Sequence, residues 1–368
     1  MNGYSLILDI LRRDFQYSKL KDIGTSSIEW DIFLEGAFRE GVAGFIFSRL
    51  RNDSVKNYFP ENVLIRLEEF YLTNLGRNTI IYKELESIFK SLNEEGIICF
   101  INRGAYFSKY LYCDLGIRAM ADVDMVIFDE DLERFKNVVL NMGYGYFDRY
   151  PFFFYKNGCY IDLHLNKPGF WRVDNWPCGF TIKDIEIQRR SLPLENSLSN
   201  IRVFDVYDFI LGCCQHLQEH SFSKLIWFID VAKLIESKGS DFEWKVLEER
   251  AENFNLKKPF YFVIEYLTKN NLVSLPHYIN RKYVALNFIE EKSLSLIVAN
   301  KRNYVCGWML FLFLAKGMKD KFNLLRKILF LKKEYIPLSK EPGFSSYLRR
   351  FLGIIGYILR MAIVLVMV

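Results

Sequence analysis

Apolar residues recur at helical spacing over 3–15, 27–51 and 60–93, most plainly in ENVLIRLEEFYLTNLGRNTIIYKELESIFKSL. That i, i+3, i+4 rhythm predicts three amphipathic helices. Pro60 and Glu61 suit the first turn of the third. Gly96 ends it and opens IICFI, an apolar run over 97–101 that reads as a strand. RGAYFSKYLY then predicts a turn and a short helix, and residues 122–128 a second strand. DEDLERFKNVVLNMG predicts a helix with an acidic first turn, which complements the helix dipole, and Gly143 at its end.

The period changes to two in YPFFFYKNGCYIDLHLN. Asn157-Gly158 between two alternating runs signals a type I′ hairpin. A two-residue loop sets Phe153 opposite Asp162 and Tyr155 opposite Tyr160, with Tyr160, Asp162 and His164 on one face. Beyond Pro168 the texture shifts again: 204–237 and most of 242–335 are helical in period. The predicted fold class is α+β, a small mixed β-sheet core flanked by N-terminal helices and a helical C-terminal domain. The boundaries fall at 1–95, 96–166, 167–335 and, for an apolar tail, 336–368.

Composition narrows the setting. Half the chain is apolar and a quarter charged, which predicts a packed core. The seven cysteines are scattered and form no C-x-x-C, which points to a reducing, cytoplasmic compartment. MNGYSLILDILRRDF carries charges too early for a signal peptide. Residues 301–350 hold twelve Lys/Arg against three Asp/Glu, so an anionic partner or a solvated helical face is expected there.

Asp122 and Asp124 break the apolar pattern of the second strand. Asp is depleted in strands because its side chain competes for backbone hydrogen bonds. Strand geometry puts both carboxylates on one face, roughly 6.6 Å apart. At an effective dielectric of about 20 they repel by on the order of 2–3 kcal/mol. Asp162 on the hairpin adds a third carboxylate. Such an oxygen-rich pocket suits Mg²⁺ or Mn²⁺, with substrate phosphates completing the shell. The pair alone also fits strand-end aspartates satisfied by backbone N–H groups.

INRGAYFSKYLYCDLGIRAMADVDMVIFDEDLERFKNVVLNMGYGYF followed by CYIDLHLN resembles the bacterial uncharacterised nucleotidyltransferase family, within the DNA polymerase β-like superfamily. The matching positions are Arg103-Gly104, Arg118, Asp122, Asp124, Gly143-Tyr144 and Asp162-Leu163-His164. CCQHLQEHSFSKLIWFIDVAKLI resembles the family's helical segment more loosely, through His216, His220, Trp227 and Asp230. The likeness spans about residues 30–290. It implies a nucleotidyltransferase core at 96–166 that moves a nucleoside monophosphate from an NTP, ATP foremost, to an unidentified acceptor, releasing pyrophosphate. It implies that Asp122 and Asp124 hold both metals, and that Asp162 completes the metal nearer the acceptor and helps deprotonate it. Gly104 would let the backbone approach the triphosphate. Arg103, where the family tends to have Lys, and Arg118 would neutralise phosphate charge. The superfamily usually has Gly-Ser where this chain has Gly104-Ala105, so Ser108 is the substitute hydroxyl. His164, His216 and His220 would support the acceptor side. Asp124→Ala is expected to abolish Mg²⁺-dependent nucleotide binding with little loss of fold.

Other readings compete. The altered Gly-Ala turn also fits a catalytically degenerate nucleotide- or metal-binding regulatory protein. His216 to His220 reads H-x-x-E-H, a zinc-hydrolase pattern whose third ligand would come from a residue such as Glu290 or Glu291. The last apolar run, after Arg350, contains Arg360 and two glycines, which predicts burial or peripheral membrane contact rather than a span.

Overall fold

The computed structural model describes residues 2–329 except 16–27, 52–57, 148–149, 170–175, 195–197, 275–283, 303–304, 306 and 316; beyond 329 it describes only Leu352, Ile355, Gly356 and Leu359. The expectation for the tail therefore lies almost wholly outside the described residues. Among the described residues four N-terminal helices, α1 (Gly3–Leu11), α2 (Trp30–Arg39), α3 (Ala43–Leu50) and α4 (Glu61–Glu94), precede the sheet. The helix expected over 27–51 is two. It breaks at Gly41, whose φ of 73° is left-handed and favours glycine. The break frees Glu40 for tertiary bonds. Its carboxylate accepts from the Leu225 backbone N–H at 2.9 Å and pairs with Arg302 at 2.8 Å. Periodicity cannot register a partner 185 residues away.

Seven strands form one mixed sheet in the order β3-β4-β5-β2-β1-β7-β6. They are β1 (Cys99–Ile101), β2 (Val123–Ile127), β3 (Gly145–Phe147), β4 (Tyr150–Lys156), β5 (Cys159–Leu165), β6 (Leu192–Leu194) and β7 (Leu198–Val203). The hairpin forms as the sequence predicts: Asn157 and Gly158 both have positive φ, and Phe153 pairs with Asp162 and Tyr155 with Tyr160. Central β2 is buried along its whole length. Alternation sends Val123, Met125 and Ile127 to one face and Asp124 and Val126 to the other. α5 (Leu132–Asn141) follows β2, entered through a single turn at Asp129–Asp131. β6 and β7 come from the segment after Pro168, where only helices are predicted, and β7 runs parallel to β1. Residues 195–197 between them lie outside the described residues; β6 is too short to show a period, and LSNIRV in β7 does not alternate strictly.

The C-terminal half is helical: α6 (Ile185–Arg190), α7 (Val206–Glu219), α8 (Leu225–Lys238), α9 (Trp244–Asn253), α10 (Lys257–Lys269), α11 (Phe288–Val298) and α12 (Met318–Leu329) are its main helices. Asp205 caps α7, accepting from the Tyr207 N–H. α8 has no cap of its own from Lys224, and the Glu40 carboxylate supplies it from outside, where it also meets the positive end of the helix dipole. No described helix is long and apolar enough to cross a membrane. The architecture is α+β, as the pattern predicts.

Candidate functional site

β2 and β5 run parallel in a register that places Asp124 beside Asp162 and Val126 beside His164. Asp122 immediately precedes β2. One ligand atom each from Asp124, Asp162 and His164 lies within 4.8 Å of the others. His164 Nε2 is 3.3 Å from Asp124 Oδ1 and 3.4 Å from Asp162 Oδ2. Burial alone would depress the His164 pKa, but Asp162 and Asp124 override it and hold the imidazolium up to about 9. Burial, followed by the charges of Asp124 and Asp162, pushes Asp122 up to about 6. The part due to Asp124 and Asp162 is the repulsion expected from the sequence, and it falls on Asp122.

Asp124 escapes it through Arg103. The Arg103 guanidinium clasps both Asp124 oxygens and also donates to the Pro168 carbonyl at 3.1 Å. Burial works against the charge of Asp124, yet Arg103 and then His164 hold its carboxyl well below the usual range. Arg103 has φ 44° and ψ −119°, a conformation L-residues rarely adopt. Such backbone strain persists only where its surroundings over-determine it, and here the clasp and an Asn102 Oδ1 acceptor do so. The sequence announces a phosphate-facing arginine; the structure spends it inside the protein. The same holds for Arg118, whose Nε and Nη2 each lie 3.1 Å from Asp230 Oδ2 while the Tyr112 hydroxyl donates to the same carboxylate. Arg118 still lines the cleft, as does Gly104.

Ser108 does not reach the cleft. It is fully buried, 3.1 Å from the carbonyls of both Gly104 and Arg118, and Ala105 is buried too. The expected substitute hydroxyl is consumed by holding the turn. A short helical turn over Gly104–Tyr106 and a π-helical turn over Phe107–Leu111 aim Ser108 inward.

The loop carrying Arg118 and Asp122 is supported by a polar row on α4 that periodicity alone passes over. Asn74 donates to the Gly116 carbonyl, Arg77 to that of Ala121, and Asn78 to those of Leu115 and Arg118 at 2.7 and 2.8 Å. The available signal is two asparagines four apart on a helix face that is otherwise apolar; both are buried. Asn78→Ala removes a donor from the part-buried Leu115 carbonyl and from the Arg118 carbonyl, which keeps Ser108, and a loss of about 1–3 kcal/mol is expected in urea unfolding. A loss below about 0.5 kcal/mol would show that the loop holds itself.

Opposite the sheet, α7 presents His216, Glu219 and His220. Together with Asp122, Asp124 and Asp162 they line one cavity of about 510 Å³, with Lys224 and Trp227 at its edge. Burial, then Arg103, pushes both imidazoles below their ordinary range; burial pushes Glu219 up to about 7. The structure thus gathers every sequence-predicted site residue except Ser108 around one space. The third zinc ligand sought at Glu290 is not there: Glu290 is buried, pairs with Lys258 at 2.7 Å and forms the capping box of α11 with Asn287.

Carboxylates on a parallel strand pair thus face two histidines and a glutamate across one cleft, and the sequence comparisons give the class to which the chain belongs. The model of an uncharacterised nucleotidyltransferase family matches residues 26–270, two thirds of the chain. The chain belongs to that family. No curated protein is similar enough to register as a match. Among solved structures, the solution structure of the antibiotic-resistance factor ANT(2'')-Ia is similar over 48% of this chain and 93% of that one, at 12% identity and a TM-score of 0.36. That likeness is too slight to carry a substrate.

Proposed function

We propose that this protein is a divalent-metal-dependent nucleotidyltransferase that moves a nucleoside monophosphate from an NTP to an acceptor hydroxyl, phosphate or amine, with release of pyrophosphate. One observation carries the reading. Asp122, Asp124, Asp162 and Glu219 face the cavity, while the two arginines that line it are already bound to Asp124 and Asp230. After burial, the charges of Asp124 and Asp162 raise Asp122, a repulsion that a divalent cation shared among these carboxylates would relieve. The donor set fits that need: carboxylate oxygens of Asp122, Asp124 and Asp162 would hold Mg²⁺ or Mn²⁺, which supplies neutralisation of phosphate charge.

The chain's own groups do the positioning. Gly104 offers bare backbone to the cavity; a Cβ there would stand 3.4 Å from Met120 Cγ and 3.6 Å from Arg118 Nη1. Asp162 is the more exposed of the paired carboxylates and accepts the acceptor's proton. Lys224 adds a positive charge at the rim. Catalysis then rests mainly on positioning and charge neutralisation.

Asp162→Asn tests this, because the asparagine keeps the shape of the side chain and Asp162 is the more exposed of the paired carboxylates. Calorimetric titration of non-hydrolysable ATP, CTP, GTP and UTP analogues is expected to show binding with Mg²⁺ and none with EDTA. The variant should bind at least about tenfold more weakly, about 1.4 kcal/mol. Binding indifferent to EDTA, or to Asp162→Asn, would overturn the assignment. A second reading is favoured by Ala105 and Ser108, which leave the turn without a hydroxyl for phosphate: a nucleotide-binding protein without turnover. Mg²⁺-dependent binding with no pyrophosphate released across a panel of acceptors would select it.

A further inference from the structure

His216 and Glu219 lie in the last turn of α7 and His220 is its C-cap, so the three stand at i, i+3 and i+4 on one side of the helix end. Their ligand atoms lie within 4.8 Å of one another, and the two imidazole centroids are 4.4 Å apart. The cluster is built rather than incidental. Trp227 from α8 packs edge-on against His216 at 4.7 Å and tilted against His220 at 5.4 Å, which restricts both rings. The Gln215 amide donates to Glu219 Oε1 at 2.8 Å, the kind of outer contact that orients a ligating carboxylate. Gly169 makes room for that carboxylate: a Cβ there would stand 2.7 Å from Glu219 Oε1.

We propose that His216, Glu219 and His220 form a metal site of their own, taking one zinc-class divalent cation. Two imidazole nitrogens and a carboxylate are a borderline donor set, matched to Zn²⁺ and poorly matched to Mg²⁺, which prefers oxygen alone. This is not the hydrolase arrangement of the same five letters. There the glutamate is a base and a third ligand comes from elsewhere; here Glu219 itself is within ligating reach. All three side chains line the cavity, so the coordination position that three protein ligands leave open faces the carboxylate wall. An acceptor bearing an anionic oxygen is the chemical class such a position takes. The two walls then sort cations by hardness, with magnesium-class ions on the sheet and a zinc-class ion on the helix.

Zinc titration tests the site without any nucleotide, so its failure is distinct from failure of the transferase reading. The metal-stripped full chain is titrated with Zn²⁺ against a chromophoric chelator, in excess Mg²⁺ to occupy the carboxylates. One zinc per chain is expected. His220→Asn, at the most exposed ligand, should weaken it by at least about 100-fold with unchanged circular dichroism, and Glu219→Gln should weaken it also. Asp162→Asn should leave it within about threefold, since that residue is no ligand of this site. Co²⁺ in place of Zn²⁺ should give the intense visible bands of a four-coordinate centre. Absence of stoichiometric zinc, binding that survives both His220→Asn and Glu219→Gln, or binding lost in Asp162→Asn would overturn the proposal.

Discussion

Asp124→Ala is expected to unfold the protein at markedly lower denaturant, losing about 3–5 kcal/mol, the cost of leaving a buried charge without its partner. This reverses what the sequence suggests. Read as a solvent-facing metal ligand, Asp124 should be removable at little cost to the fold. In the structure it is 9% exposed and is clasped by an arginine that is 8% exposed. Truncation strands that guanidinium, with the Pro168 carbonyl as its remaining partner. A loss of this size is a large fraction of the roughly 5–15 kcal/mol that holds a domain together. Loss of metal binding in Asp124→Ala would therefore report unfolding as readily as a missing ligand. The double variant Arg103→Met with Asp124→Leu separates the two. Replacing a buried ion pair by apolar groups of similar volume is often neutral or stabilising, so it should recover most of the loss while remaining unable to bind Mg²⁺. If Asp124→Ala stays within about 1 kcal/mol of the parent, Arg103 has found water and the pair is not structural.

How far the sequence reaches is clear from these residues. The hairpin register was legible because Asn157-Gly158 admits few turn types and the side-chain period of two fixes the rest. The carboxylate face followed from it, since Asp162 and His164 are two apart on β5. The pairings were not legible. Arg103 reaches Asp124 across 21 residues and Arg118 reaches Asp230 across 112, and nothing local marks either bond. An arginine near an Asp-x-Asp suits a phosphate or a carboxylate equally well, and only the packed structure decides. Glu40 illustrates the same limit at the α2–α3 break. The opposite wall was half legible: the spacing of His216 and His220 gave the helix face, but not that the face turns toward the carboxylates.

Asp122→Asn should do the opposite of Asp124→Ala, stabilising the metal-free protein while removing its response to magnesium. Asp122 titrates near 6 in the folded chain, against about 3.9 for an aspartate in the unfolded one. A raised carboxyl pKa means the folded state holds that proton more tightly. Its contribution is favourable below about pH 4 and is lost as pH rises through about 6. Two units correspond to about 3 kcal/mol. Because the side chain is part-exposed, solvent screening trims this to about 1–2 kcal/mol. In EDTA at pH 7 the asparagine variant should therefore melt about 1–3 °C higher than the parent, and the difference should close by pH 4. The proton held by His164 acts in the same direction at higher pH: it stabilises at low pH and is lost as pH rises through about 9. That term is present in both proteins and largely cancels between them. Added Mg²⁺ should raise the parent's melting temperature through linkage and leave the variant's unchanged. The parent's gain should fade below about pH 6, where Asp122 is protonated. A variant no more stable than its parent in EDTA would mean that Asp122 sits relaxed in water. The charge placed between the strands would then need no metal to balance it.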